Sequence, residues 1–395
     1  MISLMFFKKV IAFLKIICHL YKTCMREQRN RRRKYMVTIS LCMIVKNEEK
    51  TLDRCLQSVA GIADEIIIVD TGSTDRTKEI AEKWTPHVFD FIWRDDFSAA
   101  RNYSFQHATK EYILWLDADD ILLPENHQKL LMLKQAVNWQ VDAVSMVYHV
   151  VFDDNNNVIT STRRYRLLKR CKNFKWHGIV HEDLHLPPSF QYEESDIVVT
   201  HKKRKITSDR NLKIYERAKQ QGTAWNAHDL FHYARELQVH KQYQDALRMY
   251  EEFLEKNPIS TAHRVFVLHN MACCYYELGE PEKEHELTLQ SLSYDIPQPM
   301  FCCRLGEHFL KHHQYHRAIF WYKLALQVET DSFPYVVDQH IYKTWLPHKQ
   351  LGMCYYRIEN YERSYIHNRC VLEYLPNDLD TLQNIKVLEL LHNCK

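Results

Sequence analysis

The sequence predicts an α/β domain with a largely parallel sheet, followed by an all-α domain of helical repeats. Three observations carry that prediction. Short apolar runs alternate with helical segments from Val37 to about Thr200. The strand-like runs stop at about Lys213. Small residues then recur at a spacing near 34, with insertions. A chain of 395 residues has room for two ordinary domains. With 46% hydrophobic and 26% charged residues, its composition is globular.

Residues 1–36 read as a basic amphipathic arm. Residues 3–21, SLMFFKKVIAFLKIICHLY, are apolar but broken by Lys8, Lys9 and Lys15. A membrane span needs roughly 20 mainly apolar residues. Lys8, Lys15, His19 and Lys22 share one side of a helix, and Phe6, Val10, Phe13, Leu14 and Ile17 lie elsewhere. That pattern, followed by RNRRRK, suits peripheral contact with an anionic membrane surface. The arm carries +9 of an overall +3, which leaves −6 for the rest. A mildly acidic body excludes a general nucleic-acid binder. The 12 cysteines show no metal-binding spacing, which fits free thiols in a reducing, cytoplasmic setting.

Residues 37–205 form the α/β unit. Val37–Val45 reads as a strand and Glu49–Val59 as a helix with Leu52, Leu56 and Val59 on one side. Glu65–Val69 is a buried strand that ends at Asp70. Thr74–Trp84 is a helix with Ser73 or Thr74 at its start. Tyr112–Leu116 is a strand that ends at Asp117, Pro124–Asn138 a helix, and Asp142–Phe152 a strand. Asp153–Asn157 reads as a hairpin turn. Strands alternating with helices imply a sheet covered on both faces. Ligands of such sheets sit at the carboxyl ends of the strands, where Asp70 and Asp117 fall.

Residues 206–395 carry four copies of a two-helix pattern. Their small residues are Ala234, Ala272, Gly306 and Gly352, each followed by spaced aromatics such as Tyr243, Tyr250, Tyr315, Tyr322 and Tyr361. Pro258 and Pro376 close the first and fourth copies. Small residues let two helices approach, and aromatics fill the gap between hairpins. The pattern is tetratricopeptide-like, and such arrays hold peptides on a concave face.

The sharpest chemical feature is Asp117-Ala118-Asp119-Asp120 directly after YILWL. Two carboxylates beyond a strand end can share a hard divalent cation, Mg²⁺ or Mn²⁺, that bridges nucleotide phosphates. A plain helix cap before Pro124 is the structural alternative. Asp70, in VDTGSTD, opens a tight turn into a helix and could bond a base or ribose. No glycine-rich dinucleotide loop or P-loop motif is present.

These segments resemble a known family. LCMIVKNEEKTLDRCLQSV, VDTGSTDRT, DFSAARN and WLDADD are similar to family 2 glycosyltransferases of the GT-A fold. STRRYRLLKR and FKWHGIVHED resemble a narrower group that includes sublancin-type peptide S-glycosyltransferases with repeats behind them. The resemblance implies that Asp70 contacts the nucleotide base, with Asn47 and the 43–47 strand end beside it. It implies that Arg101 approaches the base or phosphate, and that Asp117 and Asp119 take metal and diphosphate. Glu182 would be the acceptor-activating base, with Asp183 as its substitute. His201 would be a third metal ligand, although Lys202 stands where relatives have Gly.

The implied activity is inverting transfer from a nucleotide-sugar donor of the UDP type to a peptide or protein hydroxyl or thiol. The acceptor would be held partly by the repeats. Alternatives are a surface glycan or lipid-linked acceptor, or an inactive domain that serves a repeat-based scaffold. Repeat domains also pair, which makes a homodimer a further expectation. With a surface glycan or lipid-linked acceptor, the basic arm would hold the enzyme against the inner face of the membrane.

Overall fold

The computed structural model describes residues 36–135, 141–187, 189–202, 209–256, 260–329 and 338–393. The arm at 1–35, Asn138, Pro258 and the boundary at 205/206 lie outside the described residues.

The first domain is built on a mixed sheet. Its parallel half is β1 (Ile39–Val45), β2 (Glu65–Asp70), β3 (Val88–Asp90) and β4 (Tyr112–Trp115). β1 pairs in parallel with β2 on one side and β4 on the other. A long hairpin, β6 (Ala143–Phe152) and β7 (Val158–Lys169), adds to it, because β7 runs antiparallel to β4. The two-residue β5 (Asp120–Ile121) pairs with β10 (Tyr192–His201), giving the order β3-β2-β1-β4-β7-β6-β10-β5. Asp153–Asn157 makes the expected turn of the β6–β7 hairpin, and the Asp153 carboxylate accepts from the Asn155 and Asn157 N–H groups (2.9 and 2.8 Å).

Strand residues alternate between two buried faces, as the period of two demands. Leu41, Met43, Ile68 and Leu114 pack with Leu52 and Leu56 of α1 (Leu52–Ser58), Ala81 of α2 (Thr77–Trp84) and Leu130 of α4 (Pro124–Lys134). Cys42, Ile67, Ile113 and Trp115 pack with Phe105 of α3 (Phe97–Gln106) and with Trp176 and Leu184 of a small separate hairpin. That hairpin is β8 (Lys175–His177) and β9 (Asp183–His185). The sheet is thus less uniformly parallel than strand–helix alternation implied. The Arg-rich β7 is the reason.

The start of α2 also differs from expectation. Ser73 Oγ and the Thr74 N–H bind Asn47 rather than the helix, and Asp75 accepts from the Thr77 N–H (3.0 Å) at the helix start.

The second domain opens with α5 (Arg210–Gln220) and continues as helix pairs. These are α6 (Ala227–Val239) with α7 (Tyr243–Glu255), α8 (Thr261–Leu278) with α9 (Pro281–Ser291), α10 (Pro299–Lys311) with α11 (Tyr315–Gln327), and α12 (Trp345–Arg357) with α13 (Tyr361–Tyr374). A last helix, α14 (Leu379–Asn393), covers the end. The marker residues Ala234, Ala272, Gly306 and Gly352 are all buried. A Cβ on Gly306 would come within 2.7 Å of the Tyr322 ring, so glycine sets how closely α10 and α11 approach.

The wide spacing from Gly306 to Gly352 has a structural cause. The chain leaves the repeats there to form β11 (Asp338–Gln339), which pairs antiparallel with β7. His340 Nε2 then meets Ser161 Oγ at 2.7 Å. The two domains also share a core at the other end, where Val180, from the β8–β9 loop, packs among Leu230, Tyr215 and Phe231.

Candidate active site

An open cleft of about 590 Å³ lies at the carboxyl ends of β1 and β4. Its walls include Asn47, Thr71, Arg101, Asp117, Asp119, Glu182 and His201. The buried run YILW ends one residue before Leu116, and the chain then turns. The Asp120 carboxylate accepts from the Asp117 N–H (3.1 Å), which curls the acidic run across the strand end.

Arg101 organises one side of this cleft. It is largely buried, projecting from α3 against the touching Trp115 and Trp176 rings, whose centroids lie 4.9 and 5.0 Å from its guanidinium carbon. Nη2 donates to Asp117 Oδ1 at 2.7 Å, and Nε donates to Glu182 Oε1. Burial alone would disfavour the guanidinium charge. The Asp117 and Glu182 carboxylates outweigh it and raise the Arg101 pKa. Asp117 answers in kind: burial pushes its carboxyl up, but Arg101 and Arg166 hold it well below the usual range.

Asp119, Asp120 and His201 form a second group. One ligand atom from each lies within 4.8 Å of the others. His201 Nδ1 sits 3.4 Å from Asp119 Oδ1 and 3.2 Å from Asp120 Oδ1. β5 and β10 create the proximity by pairing Asp120 with His201. Burial, then the nearby Asp117 and Asp120 carboxylates, push the Asp119 carboxyl up to about 6, against the opposing pull of His201. Burial lowers the affinity of His201 for its proton, yet Asp120 and Asp119 raise its pKa overall.

The grouping therefore differs from the one read off the triplet. Asp119 and His201 stand together as expected; Asp117 lines the cleft beside them and pairs with Arg101, whereas Asp120 is fully buried against Arg166 and Tyr148. Carboxylates and an imidazole suit Mg²⁺ or Mn²⁺. The raised Asp119 carboxyl marks an excess of negative charge that a cation would relieve. These residues fit such an ion.

Three expected residues play more local parts. Asn47 has positive φ, lines the cleft, and its Oδ1 accepts from the Thr74 N–H at 2.8 Å. Asp70 is buried behind the wall. Its Oδ1 accepts from the Gly72 and Ser73 N–H groups (both 2.8 Å), while Oδ2 is buried without a partner. Thr71 represents that turn in the cleft. Asp183 is not among the cleft residues. Its carboxylate meets Arg164 Nη1 at 3.3 Å and His228 Nε2 at 3.4 Å.

Sequence reasoning missed Arg166 and Tyr148. Arg166 is fully buried and pairs with Asp120 (3.0 Å). Tyr148 donates to Asp120 Oδ1 (2.9 Å) and lies 2.8 Å from His201 Nδ1. The only sequence signal was an arginine at every other or adjacent position in a β-like run, STRRYRLLK.

Comparisons with known proteins agree with this architecture. Residues 40–185 match the model of the family Glycosyl transferase family 2. The chain is 50% identical over 90 residues to a TPR repeat-containing protein of Synechococcus elongatus, covering 23% of this chain and 22% of that protein. It is 34% identical over 149 residues to the SPbeta prophage-derived glycosyltransferase SunS of Bacillus subtilis, covering 37% of this chain and 34% of that protein. The chain thus spans no more than about a third of the length of these relatives. A tetratricopeptide repeat protein from Parabacteroides merdae superposes over 47% of this chain and 66% of its own, at 18% identity and a TM-score of 0.35, a likeness too loose to carry an argument. The architecture is an α/β domain that matches Glycosyl transferase family 2 over residues 40–185, followed by tetratricopeptide-like repeats.

Proposed function

We propose that this chain, with a family 2 glycosyl transferase domain as its premise, is a metal-dependent inverting glycosyltransferase. Its donor is a nucleotide-sugar of the UDP type, and its acceptor is a hydroxyl or thiol on a peptide or protein. One observation carries the reading. A single cleft at the strand ends is lined by Asp117, Asp119 and His201, by the buried Arg101, and by Glu182, a carboxylate that is free to act as a base once the arginine is drawn away.

Asp119 and His201, with Asp117 or Asp120 beside them, would hold Mg²⁺ or Mn²⁺. When bound, the ion neutralises charge on a departing diphosphate as a Lewis acid. Arg101 now spans Asp117 and Glu182. A diphosphate in the cleft gives Arg101 another anion to meet, which frees Glu182 to take the proton from the acceptor hydroxyl or thiol. Trp115 and Trp176 keep water from the Arg101 guanidinium. Asn47 and Thr71, at the end of β1 and β2, form the wall nearest to where a nucleotide base would rest.

The repeats supply a reason for the acceptor class. Tetratricopeptide-like arrays present concave faces that suit extended peptides, and here the array is joined to the loop that carries Glu182. The N-terminal arm keeps its proposed role at the membrane surface. Among the described residues no helix is long and apolar enough to cross a membrane.

The test is a panel of nucleotide-sugars incubated with the purified chain and Mn²⁺, read as released nucleotide diphosphate and as mass added to candidate peptides. Metal-dependent release from one donor, lost in Asp119→Asn, supports the reading. A wild-type chain that releases nothing from any donor points instead to a binding scaffold.

A further inference from the structure

A second cluster of ligand-type side chains lies outside the cleft, where the two domains meet. Asp183 opens β9. His228 and His232 stand one turn apart on the same face of α6. One potential ligand atom from each of the three lies within 4.8 Å of the others. We propose that Asp183, His228 and His232 form a second metal site, for Zn²⁺, that pins the loop carrying Glu182 to the first helix of the repeat array.

The ligand set favours that ion. Two imidazoles and one carboxylate suit zinc, with water completing a tetrahedron. Zinc bonds of about 2.0–2.1 Å place ligand atoms roughly 3.4 Å apart. His228 Nε2 and Asp183 Oδ2 already stand 3.4 Å apart. The His232 ligand atom lies within 4.8 Å of both, so closure asks it to move inward by at most about 1.4 Å.

The surroundings are arranged behind the ligands. Asp183 spends Oδ1 on Arg164 (3.3 Å), which leaves Oδ2 facing His228. The other ring nitrogen of His228, Nδ1, faces Asp229 Oδ1 at 3.7 Å. At that distance the two atoms make no hydrogen bond, and each is buried without a partner. His232 is buried, and its Nδ1 has no hydrogen-bond partner. An orphaned imidazole nitrogen in an interior has a cost that a metal bond removes. The His181 ring stacks on His232 at 4.8 Å and closes the side toward the loop. On loading, His228 Nε2 exchanges its 2.9 Å contact with the His181 carbonyl for the metal.

This site is separate from the cleft cluster, so it can be counted separately. The Asp119→Asn chain, stripped with EDTA and dialysed against Zn²⁺, should retain a single equivalent. Adding His232→Ala should weaken that binding by roughly 100-fold or more, as loss of a ligand exceeds the effect of losing its support. Co²⁺ in place of Zn²⁺ should give a visible d–d band that Zn²⁺ displaces. An Asp119→Asn chain that binds no Zn²⁺, or a His232→Ala change that leaves the equivalent in place, overturns the site. If His232→Ala does not fold, His228→Gln and the Co²⁺ band of the Asp119→Asn chain decide. Absence of the band, or a band unaffected by His228→Gln, overturns it. Because the readout is metal content, failure here leaves the transferase reading untouched, and a chain inactive on every donor leaves the zinc count untouched.

Discussion

Arg101 holds two acidic groups that would otherwise repel each other at the mouth of the cleft. Neither carboxylate can be assigned a role without it. Removing one partner of a buried charge network costs about 3–5 kcal/mol. Arg101→Gln should therefore lower the unfolding free energy from urea melts by an amount of that order, and weaken donor binding as well. Glu182→Gln should behave differently. It keeps a hydrogen-bond partner for Arg101 but has no base, so kcat should fall by about 10²–10⁴ while donor affinity holds. Single-turnover kinetics beside donor titrations would separate the two. At this scale the acidic triplet was legible because carboxylates directly after an apolar strand have few other uses. Arg166 and Tyr148 were not, because each is one polar residue inside a strand and its partner lies across the sheet. The approach of Asp120 to His201 was hidden for the same reason. It depends on β5 pairing with β10, and a two-residue strand leaves no pattern in a sequence.

The decisive element is the β8–β9 hairpin. Its loop is held from three directions: the Phe97 N–H donates to the Ile179 carbonyl (3.0 Å), Tyr215 Oη to the Val180 carbonyl (3.0 Å), and His228 Nε2 meets the His181 carbonyl (2.9 Å). Gly178 makes the approach feasible. Its φ is +99°, and a Cβ there would lie 2.7 Å from His228 Cε1. Gly178→Ala should therefore cost about 1–3 kcal/mol and lower kcat through a displaced Glu182. Gly306→Ala, in the third repeat, should cost stability without changing the kcat of the folded fraction. Thermal melts paired with active-site titration would show the contrast. Helix pairs and parallel strands could be read from periodicity. The hairpin could not, because three-residue strands around a polar loop have no period to detect.

Taken whole, the molecule is an α/β domain gripped by its own repeats. The array touches it at the Glu182 loop, at β7 through β11, and at the 153–157 turn, where Asn157 Nδ2 donates to the Tyr374 carbonyl. The repeat period revealed the array, while the insertion before Gly352 appeared only as an irregular spacing. Its role as a sheet-edge strand required the fold. Global stability should also carry a signature of the array. His269 is buried between Phe266 and Phe301, and burial, then Arg304, push its pKa down to about 3 from an ordinary 6.5. The unfolded chain thus binds the proton that the folded chain refuses. This stability is complete above pH 6.5 and is lost as the pH falls toward 3. In that window His269→Gln should flatten the dependence of unfolding free energy by about 1.4 kcal/mol per pH unit, measured by urea melts at stepped pH.

The central claim is that Asp119 and His201, with a neighbouring carboxylate of the acidic run, seat a divalent ion that meets the donor diphosphate. It is tested most directly by calorimetric titration of UDP into the chain with Mn²⁺, into the chain with EDTA, and into Asp119→Asn with Mn²⁺. The expected result is binding in the first case, weaker by at least roughly tenfold in the other two, which corresponds to about 1.4 kcal/mol. Equal affinity with and without the ion, or an Asp119→Asn chain that binds UDP as tightly as the wild type, would contradict it.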